Sequence, residues 1–234
     1  MPLSTLIHRS SQPCPEVSEQ QALRVLQEHY GLNGSLQSLG SQQDLNFRVD
    51  SAQGRYVLKV CHGNYAVAEL EAQHAALSYL RERGLPVPAV KTASSGEQLL
   101  ALDVGGQPLR VRLLDYIEGQ SLTRLKHMQP QLIAELGRLC ARIDQALSDF
   151  SHPGLERTLQ WDPRHAQELI THLLASLERL PHRDALERVA AQVQARIRPL
   201  AERLPWQAVH MDITDDNVLW QRDAQRHWHI QGVI

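Results

Sequence analysis

The segment from His210 to Asn217 has residue types and spacing suited to moving a proton and holding a metal ion. It follows the pattern H-x-D-x-x-x-x-N between two short apolar stretches. The carboxylate of Asp212 can accept a proton from an attacking hydroxyl, and the side-chain oxygen of Asn217 can ligate a hard cation. Taken alone, the octapeptide is equally compatible with an acidic surface turn.

A single lysine, Lys59, interrupts the otherwise apolar run Tyr56–Val60. An unpaired buried ammonium is very costly, so this lysine must lie at an exposed edge or pair with an anion. Kinases place their phosphate-binding lysine on the third strand in such a setting. A solvent-facing strand lysine is the alternative.

The turn that precedes this pair of strands lies where a loop covering phosphates would be expected. It contains Gly40 and Ser41 but only one glycine, so it is not a G-x-G-x-x-G loop. Backbone N–H groups and the Ser41 hydroxyl could still meet phosphate oxygens. A plain hairpin turn is the alternative.

Composition excludes several other classes of protein. The net charge of −2 and the pI of about 6.6 give no electrostatic bias toward nucleic acid or anionic membranes. No stretch has the roughly 18–20 apolar residues that span a bilayer, and no signal peptide is evident. The three scattered cysteines and twelve dispersed histidines show no metal-binding spacing. These features favour a cytoplasmic protein with reduced thiols.

The elements that must position these residues form a strand-rich first part and a mainly helical second part. This arrangement predicts an α+β fold. Residues 1–17 form an N-terminal arm. Residues 18–114 start with a helix capped by Ser18 and Gln21 and closed by Gly31, and continue as short strands around one helix over about 65–83. The strands are expected at 35–39, 45–49, 55–60, 109–117 and, as a hairpin, 90–93 with 97–102.

A hinge over 115–120 separates this first part from a mainly helical second part over 121–234. One helix starts near Pro130, and another starts after Asp162–Pro163. A third helix spans about 184–204. The faces expected to point inward are Leu169, Leu173, Leu177 and Leu180 on the second helix and Leu186, Val189, Val193, Ile197 and Leu200 on the third. Short strands are expected at 207–209, 218–220 and 228–234.

In order and spacing the chain resembles the aminoglycoside phosphotransferase-like superfamily, which includes choline, ethanolamine and homoserine kinases. The matching segments are LGSQQDLNFRV, YVLKV, GLPVPAV, LLDYIEGQSL and VHMDITDDNVLW. The first of these is most similar to the hydroxylysine kinase-like branch, which also occurs fused to class III aminotransferases. The resemblance covers nearly all of residues 18–234 and implies a bilobal protein-kinase-like fold.

The resemblance also implies roles for particular residues. Lys59, with Gly40 and Ser41, would contact the phosphates of ATP or GTP, and the linker at Asp115, Tyr116 and Ile117 would contact the base. Asp212, with His210 in the same motif, would be catalytic, and Asn217 would bind Mg²⁺. Candidates for holding the substrate, a small hydroxyl-bearing amine or amino acid, are Asp215 and Asp216; capping or solvating the turn is their more ordinary role.

Two features depart from the family pattern. Counted along the helix, Gln73 occupies the position of the glutamate that usually pairs with the lysine. Glu69 and Glu71 lie nearby on the same helix. Family members also continue from Gly-Val-Ile into Asp-Phe-Gly, whose aspartate binds the metal; here it would be residue 235. The sequence is therefore expected to be part of a longer protein. A non-catalytic kinase-like module is the alternative function.

The first prediction concerns a polypeptide of these 234 residues alone. We expect little or no kinase activity from it, because one metal ligand would be missing. Turnover of ATP and GTP is measured beside the complete protein. Turnover close to that of the complete protein would contradict this prediction.

Overall fold

The computed structural model describes residues 14–41, 43–157, 159, 161–176 (the side chain of Ser176 apart), 181–225 and 227–234. Five helices and nine strands lie in this part of the chain. The helices are α1 Glu19–Tyr30, α2 Val67–Glu82, α3 Pro130–Leu147, α4 Ala166–Ser176 and α5 Arg183–Ala201. The strands are β1 Gly34–Leu39, β2 Leu45–Ser51, β3 Gly54–His62, β4 Val90–Lys91, β5 Leu100–Val104, β6 Gln107–Asp115, β7 Gln120–Ser121, β8 Val218–Arg222 and β9 Trp228–Val233. The first thirteen residues of the predicted N-terminal arm lie outside the described residues.

The first six strands form one antiparallel sheet in the order β1-β2-β3-β6-β4, with β5 also paired to β6. Alternate residues of a strand point to opposite faces, so each strand of this sheet has two different sides. On one side Leu58, Val60, Val111 and Leu113 are buried in the first hydrophobic core, which α1 also joins. Lys59 lies on the opposite side of β3.

Helix α1 forms as the sequence predicts. The Ser18 hydroxyl accepts the Gln21 N–H at 3.3 Å, and the Gln21 side chain accepts the Ser18 N–H at 2.8 Å. Gly31 ends the helix with φ 63°, a left-handed conformation that glycine adopts without a steric penalty. Three apolar residues of this helix, Ala22, Val25 and Leu26, are buried against the sheet.

A second hydrophobic core joins the end of α2 to α3 and to a small sheet in the order β7-β8-β9. Leu80, Ile143, Val218 and Val233 are among its most buried members. Helix α3 carries Pro130 in its first turn, as predicted. The residues just before β8 are thereby attached to a well-packed part of the molecule.

By its internal contacts the chain divides into two compact units. The larger unit contains the described residues up to Leu155 and those from Ala208 onward. The smaller unit contains Glu156–Gln207. Both hydrophobic cores and both sheets belong to the larger unit. The predicted hinge at 115–120 lies within this unit, between Leu113 of the first core and Leu122 of the second. The predicted lobe boundaries stay a prediction.

The smaller unit contains α4 and α5. Asp162 caps the turn before α4, as predicted, and is paired with Arg164. The apolar stripe of α5 was expected to point inward, and this is wrong for the described unit. Its five residues are 45–57% exposed. Among the described helices α4 lies beside α5, and their apolar faces line an open cleft of about 420 Å³. Leu177 and Leu180 lie outside the described residues.

Two expectations about strands also need correction. The segments 90–93 and 97–102 do not form a ladder with each other, because β4 and β5 both pair with β6. Only the turn is as expected, with Gly96 at φ 92° and the Ala93 N–H donated to Glu97. Residues 207–209 are not a strand, because no strand of the described chain pairs with them.

None of the helices in the described ranges is sufficiently long and apolar to cross a membrane. The three cysteines all fall within those ranges, and none of them is in a disulfide.

A second prediction follows from His74, a buried histidine of α2 that is 5% exposed. Burial, together with the nearby Arg112 guanidinium, lowers the pKa of His74 from 6.5 to about 4. The unfolded chain takes up a proton that the folded protein excludes. The stability contributed by neutral His74 is therefore complete above about pH 6.5 and is lost as pH falls toward about 4.

We expect His74→Leu in the complete protein to reduce the loss of unfolding free energy between about pH 7.5 and pH 5 by roughly 2 kcal/mol. Urea unfolding of both proteins at the two pH values measures this difference. An identical loss in wild type and variant would contradict the assignment.

Candidate active site

The loop from His210 to Asn217 is held together by its own side chains. The Asn217 side-chain N–H₂ donates to the Asp212 carbonyl at 2.9 Å and to Asp212 Oδ2 at 2.8 Å. The Asp212 N–H is donated to His210 Nδ1 at 3.3 Å. The structure thus brings together the catalytic and metal-binding residues that the sequence predicts here.

Backbone bonds fasten this loop to the second core. Asn217 donates its N–H to Thr214 and accepts the N–H of Ile234, and Val233 donates to Pro86. The Ser121 hydroxyl donates to the Asp215 carbonyl at 2.9 Å. Met211 adopts φ 64°, which is unusual for a residue with a side chain, and so the loop turns sharply between His210 and Asp212.

His210 is a neutral group in this loop. Burial lowers its pKa, and the carboxylates of Asp212 and Asp144 only partly oppose this effect. A neutral imidazole can present Nδ1 as an acceptor, which is the role that the Asp212 N–H requires. His210 therefore positions the backbone of Asp212, and the exposed Asp212 carboxylate remains open to solvent.

Asn217 has one side-chain oxygen that could ligate a metal ion. Its amide nitrogen faces the two Asp212 oxygens, so Oδ1 points elsewhere and has no donor among the residues that the structure describes. Those residues contain no group of three His, Cys, Asp or Glu side chains that could hold a metal. This donor set fits a cation bound chiefly by phosphate oxygens and water, which is how Mg²⁺ commonly binds at nucleotide sites.

Lys59 lies in the middle of β3, with Asn46 of β2 opposite on one side and Arg112 of β6 opposite on the other. Its ammonium is 4.0 Å from Asp44 Oδ2 in the loop before β2. Burial lowers the pKa of Lys59, Arg112 lowers it further, and Asp44 acts in the opposite direction. Asp44 is a neighbour that sequence reasoning missed, and no spacing signal pointed to it.

The loop at Gly40 and Ser41 is exposed, and the Ser41 hydroxyl accepts the Asp44 N–H at 3.2 Å. Ser41 therefore holds the turn that carries Asp44. Gln43 is fixed by the Tyr65 hydroxyl at 3.1 Å, and Gln42 lies outside the described residues. Gln73 is half-buried on α2 and makes no hydrogen bond with Lys59. Its place in a nucleotide site stays a prediction.

Two backbone N–H groups of the linker after β6 are hydrogen-bonded within the protein. Asp115 donates its N–H to Ala89, and Tyr116 donates its N–H to Arg55. Among the three linker residues assigned to the base, only Ile117 has an N–H without a backbone acceptor in the described chain. The Asp115 side chain is engaged by Lys91 at 3.3 Å. Asp215 and Asp216 are both exposed within the His210–Asn217 loop.

Comparison with known proteins identifies the family of the chain. The model of the phosphotransferase enzyme family (APH) matches residues 35–234. The chain belongs to this family. It is 28% identical over 235 residues to hydroxylysine kinase of Danio rerio, covering 94% of this chain and 65% of that protein. It spans 59–65% of the length of the hydroxylysine kinases that it matches.

Solved structures of phosphotransferases share the fold. The chain superposes on a microcompartment-associated aminopropanol kinase with a TM-score of 0.64 at 20% identity, covering 91% of this chain and 68% of that one. It superposes on the amicoumacin kinase hAmiN, solved in complex with AMP-PNP, Ca²⁺ and Ami, with a TM-score of 0.59 at 16% identity, covering 94% and 60%. The predicted α+β, protein-kinase-like fold is confirmed.

A third prediction tests whether Asn217 holds the loop. Asn217→Ala in the complete protein removes both bonds to Asp212, one of them to a charged oxygen, and should lower the free energy of unfolding by about 1–2 kcal/mol. Thr214→Ala is the matched control, because Thr214 is exposed and contributes its backbone carbonyl to Asn217. The control should change stability by less than about 0.5 kcal/mol.

Urea unfolding measures both variants. Equal stability of Asn217→Ala and Thr214→Ala would contradict the structural role of the Asn217 side chain.

Proposed function

We propose that the complete protein is a small-molecule kinase. It transfers the γ-phosphoryl group of ATP or GTP to a hydroxyl of a small amine or amino acid such as hydroxylysine. The observation that carries this proposal is the Asp212–Asn217 loop, whose hydrogen bonds leave one carboxylate and one amide oxygen available in a chain of the phosphotransferase family.

Asp212 is proposed as the group that orients the acceptor hydroxyl and takes its proton. Its carboxylate is exposed, and Asn217 fixes its orientation through Oδ2. His210 holds the backbone of the same residue and stays neutral. Phosphoryl transfer needs little covalent chemistry from the protein, so precise placement of this carboxylate is the main contribution of the loop.

The nucleotide is proposed to lie against the first sheet. Lys59 binds the α- and β-phosphates, and the backbone of Gly40 and the exposed turn at Ser41 cover them. At the linker, Ile117 donates its free N–H to the base, and the carbonyl groups of Asp115 and Tyr116 act as acceptors. Gln73 would support the phosphate site from α2.

Mg²⁺ is the proposed metal, with Asn217 as its ligand in this chain. When bound, the ion neutralises charge on the phosphates and lowers the barrier to their transfer. The remaining work falls to residues that are present here: Lys59 draws the phosphates to β3, and Asp212 holds the acceptor hydroxyl in line.

The substrate class is proposed from the relatives and from charge. Hydroxylysine kinases are among the curated relatives, and hydroxylysine carries amino groups that are cationic at neutral pH. Asp215 and Asp216 are exposed acids beside Asp212 and can attract such a cation. A cytoplasmic location and a class III aminotransferase in the same polypeptide stay predictions.

A fourth prediction tests the role of Asp212. Asp212→Asn keeps an oxygen that can accept the Asn217 bond but cannot take a proton. We expect turnover of the complete protein to fall at least about 100-fold, while nucleotide affinity stays similar. Asp149→Asn removes an exposed acid outside the loop and controls for the loss of one negative charge.

Turnover is measured with ATP and GTP against hydroxylysine, homoserine, choline, ethanolamine and aminoglycosides. Equal activity of wild type and Asp212→Asn would contradict the assignment of Asp212. Nucleotide binding without turnover on any acceptor would favour a non-catalytic kinase-like module.

A further inference from the structure

Two cations face each other on neighbouring strands of the first sheet. Lys59 of β3 is directly opposite Arg112 of β6 in an antiparallel pair. Side chains at such positions extend to the same side of the sheet and lie close together, and like charges there are destabilising. This pairing therefore needs a compensating interaction.

Arg112 finds no such compensation in the described chain. It is 5% exposed, and its Nε has no hydrogen-bond partner among the described residues. None of the ion pairs between described residues includes it. A guanidinium taken out of water without a partner carries a large desolvation cost.

The surrounding groups supply too little negative charge for two cations. Asp44 contributes one carboxylate, 4.0 Å from Lys59, and its Oδ1 is buried without a hydrogen-bond donor in the described chain. Burial raises the pKa of the Cys61 thiol to about 12, and His74 has a pKa of about 4, so both are neutral at pH 7.

We propose that Arg112 is a second cation of the nucleotide-phosphate site, beside Lys59, and that an anionic phosphate supplies the charge that the protein lacks there. This inference rests on the kinase function proposed above. A guanidinium is well suited to the task, because its planar fork can bind two phosphate oxygens at once.

Replacing Arg112 separates this role from a structural one. Arg112→Met replaces the guanidinium with an uncharged side chain about as long as the aliphatic part of arginine. The dissociation constant for Mg²⁺-ADP, measured by titration of the complete protein, should rise at least about tenfold through loss of charged hydrogen bonds. The melting temperature without nucleotide should stay the same or rise, because an uncompensated buried charge is gone.

Arg110→Met is the matched control. Arg110 lies on the same strand and the same face, and its Nε is also without a partner in the described chain, but it is opposite Cys61. The control should change the affinity for Mg²⁺-ADP less than about twofold, since its charge lies one side-chain position farther from Lys59.

The outcomes distinguish the possible explanations. Unchanged affinity in Arg112→Met, or an equal loss in both variants, would overturn the proposal while leaving the kinase function intact. A lower melting temperature with unchanged affinity would assign Arg112 a structural role instead. Absence of Mg²⁺-ADP binding by the wild type would overturn the proposed kinase function and this inference together.

Discussion

The two hydrogen bonds from the Asn217 side chain to Asp212 are the interaction on which the candidate active site depends. They fix the orientation of a carboxylate that is otherwise exposed, and they leave a single amide oxygen facing away from it. The second core serves this arrangement, because β8 starts at the next residue and the amide of Ile234 binds the Asn217 carbonyl. A polar loop is thereby given a rigid support.

Charge is distributed unequally around this support. The side of β3 and β6 opposite the first core carries Lys59 and Arg112 near the carboxylate of Asp44, whereas the His210–Asn217 loop presents Asp212, Asp215 and Asp216 to solvent. An anionic nucleotide suits the first region, and a cationic acceptor suits the second. Phosphoryl transfer depends on holding these two substrates in line, so the separation of charge fits the proposed reaction.

Local sequence patterns predicted much of this structure. The capping box at Ser18 and the left-handed Gly31 depend on residues close together in the chain, and both form as expected. The H-x-D-x-x-x-x-N loop is also local and brings Asn217 to Asp212, although the strand expected just before it does not form. The features that were missed depend on distant pairing. Arg112 meets Lys59 only because β6 pairs with β3, and the exposure of the α5 stripe depends on which elements pack against it. No local spacing contains that information.

The nature of the phosphorylated product tests the proposed function most directly. The complete protein is incubated with Mg²⁺, ATP or GTP, and hydroxylysine or another hydroxyl-bearing amine, and the products are examined by ³¹P nuclear magnetic resonance. The account predicts a phosphate monoester on the hydroxyl oxygen of the acceptor, formed in step with nucleoside diphosphate. A phosphoramidate on the amine, or inorganic phosphate as the sole product with every acceptor, would contradict it.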